Sequence, residues 1–414
     1  MLTSEVAKPK SPIHIIPFQR FLVSRCSFIM ALQMVSFSIG IHLYQITGSK
    51  LSLGLLGLSE VIPAISLALY AGHVIDLSDK RSLLLKYMCF YLLAVVGLGF
   101  LSSNYANNNF SVTILQLGVY AMIFCTGAFR AFTGPTQQSM IAQLVPKEQL
   151  ATAISYSSAS WQTASVVGPI LAGVFIDRFG VFVTFSIAVS LLLLAIIMIY
   201  LIPKLPPANA KKEQRTWESV KEGIRYVWQT KTLLSALTLD MFAVFFGGAT
   251  ALLPVFGKDI LHLDATGISF LKAAQGIGSI LVLFYITRRP FKTNQGRKLL
   301  YSVAAFGVCI IIFAISKSFW LSFFALFFSG VFDGISMLIR GTVLQMFVPD
   351  DMRGRVSSVS SMFVNSSNEL GSFESGVTAQ LMTTVPSVIF GGCMTIIVVI
   401  AVWNKAPSLR KMQY

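Results

Sequence analysis

The chain has 414 residues, 55% of them hydrophobic and only 12% charged, with a formal net charge of +15. About a quarter of the residues of a soluble globular domain are charged, so this composition excludes that class and places the chain in lipid. A spanning helix needs roughly 20 apolar residues, and the length allows about twelve.

Residues 1 to 20 contain Pro9, Pro12 and Pro17 and no long apolar core, so no cleaved signal peptide is expected and the first span directs its own insertion. Apolar segments of spanning length follow near residues 21–44, 51–75, 82–102, 111–144, 150–176, 181–202, 232–256, 266–287, 299–316, 319–347, 356–384 and 387–403. None alternates with the two-residue period of a barrel strand. The expected fold is an all-α membrane protein of twelve transmembrane helices in two pseudo-symmetric six-helix bundles. The bundles are expected over 1–202 and 232–414, joined by a cytoplasmic linker over 203–231.

That linker opens on Pro203, Pro206 and Pro207. Trp217, Val220, Ile224, Val227 and Trp228 then recur at helical spacing, with Lys221, Glu222 and Arg225 between them. The pattern predicts a helix lying along the membrane surface and tethering the halves. Twenty-four lysines and arginines fall in the tails and connections of one side, against Lys50, Arg178, Lys258 and Lys317 on the other. By the positive-inside rule both termini are cytoplasmic, and the basic surface faces anionic lipid rather than nucleic acid.

The halves are related by an offset of 203 positions. Gly127 maps onto Gly330, Val145-Pro146 onto Val348-Pro349, Glu148 onto Asp351, Gly168 onto Gly371 and Gly173 onto Gly376. Duplicated halves in a membrane protein suit a transporter whose site lies between them near the bilayer midplane.

Between the second and third spans the chain reads Gly72-His73-Val74-Ile75-Asp76-Leu77-Ser78-Asp79-Lys80-Arg81. This resembles the signature loop of the major facilitator superfamily, with Leu77 and Asp79 standing where that family usually has arginine and glycine. The resemblance covers the whole chain. It implies that Gly72 permits close helix packing. It also implies that Asp76 with Arg355 of the Arg353-Gly354-Arg355 run, and Lys80 or Arg81 with nearby carboxylates, latch the cytoplasmic side shut when the protein opens outward. The matching second-half loop, Thr287 to Lys298, lacks the aspartate, so a one-sided latch is expected. Gly168-Pro169-Ile170-Leu171-Ala172-Gly173 in the fifth span is similar to the antiporter motif of the family's drug exporters, where proline frees a carbonyl and glycines allow tight contact. Arg130-Ala131-Phe132-Thr133-Gly134-Pro135 and Val348-Pro349-Asp350-Asp351-Met352-Arg353-Gly354-Arg355 are similar to the branch of bacterial siderophore exporters of the enterobactin type and macrolide efflux proteins.

An ionisable group deep in a span is expensive and marks a pathway. Arg130 lies in the fourth span, and 203 positions on is Asp333 in the tenth. In the family these spans line the central cavity, which implies that the pair face each other across a substrate and coupling-ion site; private pairing of each within its own bundle is the alternative. Asp240 in the seventh span and Arg340 in the tenth stand at equal depth, which predicts an ion pair acting as a clamp or a proton switch. The eleventh span is the most polar, with Asn365, Glu369 and Glu374; one glutamate is expected to serve the cavity and the other to pack. Trp161 and Gln162 of the fifth span are their first-half counterparts. Glu60 and Lys272 are read as gate contacts or snorkelling side chains.

Four scattered histidines give no metal site, and the five cysteines read as small buried side chains. No Gly-rich phosphate loop is present, so ATP is not the expected driver. No cofactor is expected and no catalytic constellation can be assembled, so the chain is not read as an enzyme. The expected activity is secondary active transport in a bacterial inner membrane by alternating access. Proton-coupled efflux of a small amphipathic molecule, drug-like or siderophore-like, by a monomer is the leading form. Import of a small metabolite, or a non-transporting sensor or scaffold on the same fold, are the alternatives.

Overall fold

Short polar side chains at the turns set where the helices begin. Ser49, Ser103, Ser111 and Asp264 each accept the backbone N–H three residues on, from Ser52, Ala106, Ile114 and Gly267. Each bond satisfies one of the orphan donors of a helix N-terminus. Gly48 ends the first helix in the left-handed conformation, φ 60°, which a side chain would strain. The structure, a computed structural model, describes residues 11–204, 216–289, 291 and 293–412, without the side chains of residues 69, 76, 216–220, 350, 351, 353, 354, 358 and 365.

The spanning helices are α1 (Ile16–Thr47), α2 (Lys50–Leu77), α3 (Lys80–Leu101) and α4 (Val112–Leu144). Leu150–Tyr200 is one helical run broken at Gly180, with φ 82° and ψ 171°. Its two arms are α5 (150–179) and α6 (181–200). Then come α7 (Lys231–Phe246), α8 (Ala265–Arg288), α9 (Gln295–Ile315), α10 (Phe319–Phe347), α11 (Asp350–Met382) and α12 (Thr384–Lys405). Among the described residues ten helical runs are long and apolar enough to cross a bilayer. The Gly180 break makes one of them two crossings, and α11, at 33 residues, is long enough but too polar to be counted by composition. The fold is therefore the expected all-α membrane architecture of twelve spans, with no strand among the described residues.

One span departs from a plain helix. After Phe246 the chain passes through the 3₁₀ segment Gly248–Leu252, the turn Leu253–Val255 and the π segment Phe256–Ile260. The Gly247-Gly248 pair and Pro254 supply the cause, since such residues are where helices kink. Thr216–Gln229 forms the helix expected in the linker. Val227 is buried while Ile224 and Trp228 are exposed, and the side chains of Trp217 and Val220 lie outside the described residues.

Within the first half α1 packs on the α5–α6 run, α2 on α4, and α3 on α4 and α6. In the second, α8 and α9 pack on α10, α9 on α12, and α11 and α12 on α7. The halves meet where α2 lies on α11 and where α8 lies on the α5–α6 run. Matched glycines make matched contacts. Gly168 lets α5 lie on Met30 and Gln33 of α1, and Gly371 lets α11 lie on Val244 and Phe245 of α7. Gly173 of α5 abuts Ser269 of α8, and Gly376 of α11 abuts Gly54 of α2, both across the halves. The duplication read along the sequence is thus a duplication of packing.

The end carrying both described chain termini and most lysines and arginines is called here the basic end, and the opposite one the far end. Of the cysteines, Cys309 is buried, but Cys89 and Cys393 are exposed. Their helix faces point outward, which corrects the expectation that all five are buried.

Candidate functional site

Gly127 sits one turn before Arg130 on α4, and any side chain there would meet the carbonyl of Glu60 and the ring of Pro63. The glycine therefore lets α4 come close to α2, and on the same helix faces the Arg130 guanidinium forms an ion pair with the Glu60 carboxylate. Gly57, one turn from Glu60, is a further contact point with the other half. A Cβ there would lie 2.9 Å from the carbonyl oxygen of Glu369 and 3.6 Å from its Oε2. The Glu369 carboxylate interacts electrostatically with Arg130 of α4 and with Lys272 of α8. Lys272 Nζ in turn lies 5.8 Å from the centre of the Phe37 ring on α1. Two carboxylates and two cations from α2, α4, α8 and α11 thus form one alternating cluster spanning the seam between the halves.

Arg130 forms its ion pair within its own half, and among the described residues no hydrogen bond or ion pair joins it to Asp333. The two stand at matched register, but the direction of a side chain around a helix decides what it meets, and Arg130 points toward α2. Asp333 is half-buried on α10, without a hydrogen bond or ion pair among the described residues. Glu369 joins the cluster, whereas Glu374 is half-buried with no ion pair among the described residues. Trp161 is 43% exposed and Gln162 half-buried on α5. The side chain of Asn365 lies outside the described residues.

The ion pair between Asp240 and Arg340 is present. Their side chains are only 5% and 12% exposed, and Arg340 Nε also donates to the Ser336 carbonyl at 3.3 Å. The first half has its own contact at the same place. Arg25 of α1 donates to Oε1 of Gln137 on α4 at 3.2 Å, and Gln137 is the residue 203 positions before Arg340. Arg25 and Gln137 lie outside the expected site residues, and Glu60 and Lys272, expected at gates or at the membrane surface, lie in the cluster. The signal that was available is that each is a polar or charged group standing deep in an apolar span.

The halves are sealed at the far end. Asp177, at the end of α5, accepts the backbone N–H of Ala265 at 3.1 Å and of Thr266 at 2.7 Å, and the Thr266 hydroxyl, at the N-terminus of α8. The Tyr44 hydroxyl donates to Asp259, and Lys258 Nζ lies 5.7 Å from the Tyr44 ring centre. A cavity of about 190 Å³ remains between these groups. Gly173 lies in this tight region, and Pro169, next to the packed Gly168, is buried within α5.

At the basic end the Asp76–Arg355 contact of the expected latch lies outside the described residues, and the other members of that surface stand as follows. Gly72 has nothing within 4 Å of where a Cβ would stand, so the close helix approach expected there is absent. Arg81 donates to the carbonyls of Ile199 at 3.4 Å and Tyr200 at 2.5 Å and lies over the Tyr200 ring. It therefore serves the C-terminal carbonyls of α6, a favourable place for a cation, rather than a carboxylate. Lys80 is buried in the first turn of α3, whose N-cap is Asp79. Arg355 pairs with Glu222 of the linker helix. The side chains of Asp76 and Arg353 lie outside the described residues.

Residues 21–406 match the family model described as Major Facilitator Superfamily. The chain is 22% identical to the MFS-type transporter YfiS of Bacillus subtilis (strain 168), over 86% of this chain and 84% of that one. It is 21% identical to the enterobactin exporter EntS of Citrobacter koseri, over 96% and 93% of the two chains. Its fold is similar to that of the xylose transporter XylE from E. coli in an inward open conformation, at a TM-score of 0.72 and 12% identity, covering 96% of this chain and 98% of that one.

Proposed function

We propose that this chain, which belongs to the Major Facilitator Superfamily, exports a small amphipathic molecule, drug-like or siderophore-like, against proton entry. That it is a secondary transporter follows from the family; the direction and the proton are our reading. The observation that carries it is the Glu60, Arg130, Glu369, Lys272 cluster. Because α2 and α4 supply one ion pair and α8 and α11 the other two charges, any rocking of one half against the other changes the distances within it. A carboxylate that loses its cationic neighbour more readily takes a proton, so motion and proton binding become coupled. Asp333, half-buried and without an ion-pair partner, is the second candidate carrier. Similarity to enterobactin exporters supports outward transport.

The excess of lysine and arginine supports a cytoplasmic basic end, with the inner membrane of a bacterium as the setting and the sealed end as the outer one. In this reading the protein faces inward, and the next step of alternating access releases the Asp177 and Tyr44 contacts. On that step Arg355 leaves Glu222 and, with Asp76, closes the cytoplasmic side; Arg353, Lys80 and Gly72 belong to the same closing surface. A monomer suffices, since both halves reside in one chain.

The test is flux into sealed everted vesicles, whose lumen corresponds to the outside, with the lumen made acidic and dyes, macrolides and siderophores as probes. Accumulation that collapses with the gradient is expected. Driven flux in the opposite sense would establish an importer, and no flux with any probe would favour a non-transporting scaffold. Unchanged coupling in Asp333→Asn would remove that residue from the site.

A further inference from the structure

Arg25 stands nine residues into α1 from Ile16, and Asp240 nine residues into α7 from Lys231. Gln137 lies seven residues before the end of α4 at Leu144, and Arg340 seven before the end of α10 at Phe347. The two halves therefore bridge their first and fourth helices at one shared depth. In the second half the bridge is charge-complete, an arginine against an aspartate. In the first half it is not. Arg25 is 9% exposed and Gln137 2% exposed, and the single hydrogen bond between them leaves Nε of Arg25 and Nε2 of Gln137 buried without partners. No carboxylate pairs with Arg25 among the described residues.

A buried guanidinium without a counter-charge is strongly disfavoured. The unpartnered atoms here are all donors, two N–H groups on different helices, and a carboxylate is the acceptor that matches a guanidinium fork in charge and shape. We infer that Arg25 and Gln137 form a subsite that takes the carboxylate, or a like anionic group, of the transported molecule, supplying the charge that Asp240 supplies in the other half. This inference rests on the transport reading above and narrows it to anionic amphiphiles. It also assigns the recognition of charge to α1 and α4, away from the cluster that couples the proton. The subsite lies about 10 to 14 Å inward from the basic ends of α1 and α4 at 1.5 Å per residue.

The test uses the full-length protein in detergent, with benzoate as the anionic probe and benzamide as its neutral isostere. A ligand that binds the native state raises the unfolding temperature in a saturable way. Benzoate is expected to do so and benzamide not. Arg25→Gln should weaken the benzoate effect roughly tenfold or more, the scale of one lost charge-assisted contact. Arg25→Lys should retain part of it. Gln137→Glu is the decisive variant, because it builds the missing carboxylate into the protein; it should fold at least as stably as the parent and lose the benzoate response. An unresponsive parent protein overturns the inference, and so does an undiminished response in Gln137→Glu or Arg25→Gln. Proton-driven export assayed on the same preparations separates the two readings. Driven export without a benzoate site sinks only the subsite, and a benzoate site without driven export sinks only the coupling.

Discussion

The carboxylate of Asp177 caps the N-terminus of α8 from across the seam, holding the backbone N–H of Thr266 at 2.7 Å. It adds a side chain from the other half to what the helix obtains from its own N-cap, Asp264, which holds Gly267 from within. An anion at this end is favoured by the helix dipole as well as by the hydrogen bonds. Asp177→Ala is therefore expected to weaken the far-end seal by about 1 to 3 kcal/mol, shifting the balance between the two openings several-fold or more. Spin labels at Asn107 and Lys317, both exposed far-end positions on opposite halves, report the change in a cysteine-free background. The longer-distance population should grow; a distribution identical to that of the parent would place the seal elsewhere.

Glu369 is the one carboxylate of the cluster supplied by the second half. Glutamine keeps its shape and cannot exchange a proton. In Glu369→Gln we expect uphill export under a pH gradient to stop while downhill exchange of substrate between the two sides persists. Gradient-driven accumulation at the parent rate would remove Glu369 from the coupling step.

For Asp240 and Arg340, nearly closed to solvent, the sign of the effect depends on how many partners are removed. Arg340→Ala leaves a buried carboxylate alone and should cost about 3 to 5 kcal/mol. Replacing both, with Asp240→Leu and Arg340→Met, removes two desolvated charges together and should recover most of that loss. Thermal unfolding in detergent reads both. If the double variant unfolds as early as the single one, the pair does more than neutralise its own charges.

The pair was legible in the sequence because both residues can be counted inward from the same end of their spans, and depth is what a count along a helix provides. Direction around the helix is not so easily counted. Arg130 and Asp333 share a depth by symmetry, yet Arg130 turns to Glu60, because Gly127 brings α4 onto α2 at that level. Lys272 looked peripheral by its distance from the end of α8, but α8 lies in the seam, so its ammonium reaches Glu369 and Phe37. The fold was read with few errors, since apolar length and the 203-residue offset depend on composition and order alone. Arg355 meets Glu222 of the linker helix, a pairing between separate elements that no count along a span provides.

Gly376 and Gly54 offer the sharpest steric test of alternating access. A Cβ on Gly376 would stand 2.6 Å from the Cα of Gly54, backbone that has no room to yield. Leucine at position 376 should hold α11 off α2 and keep the far end from closing, without loss of either half's internal packing. Gly173→Leu, at the matched place on α5 against α8, should do the same from the other side of the pseudo-symmetry axis. Both variants should shift the Asn107 to Lys317 distances the way Asp177→Ala does, and cut transport by roughly tenfold or more, since a blockage of about 1.4 kcal/mol in one step already gives that factor. Ala at either position is the graded control, with a smaller shift in the same direction. If leucine at 376 left both the distances and the transport rate unchanged, the seam between α2 and α11 would not be a surface that opens and closes during the cycle.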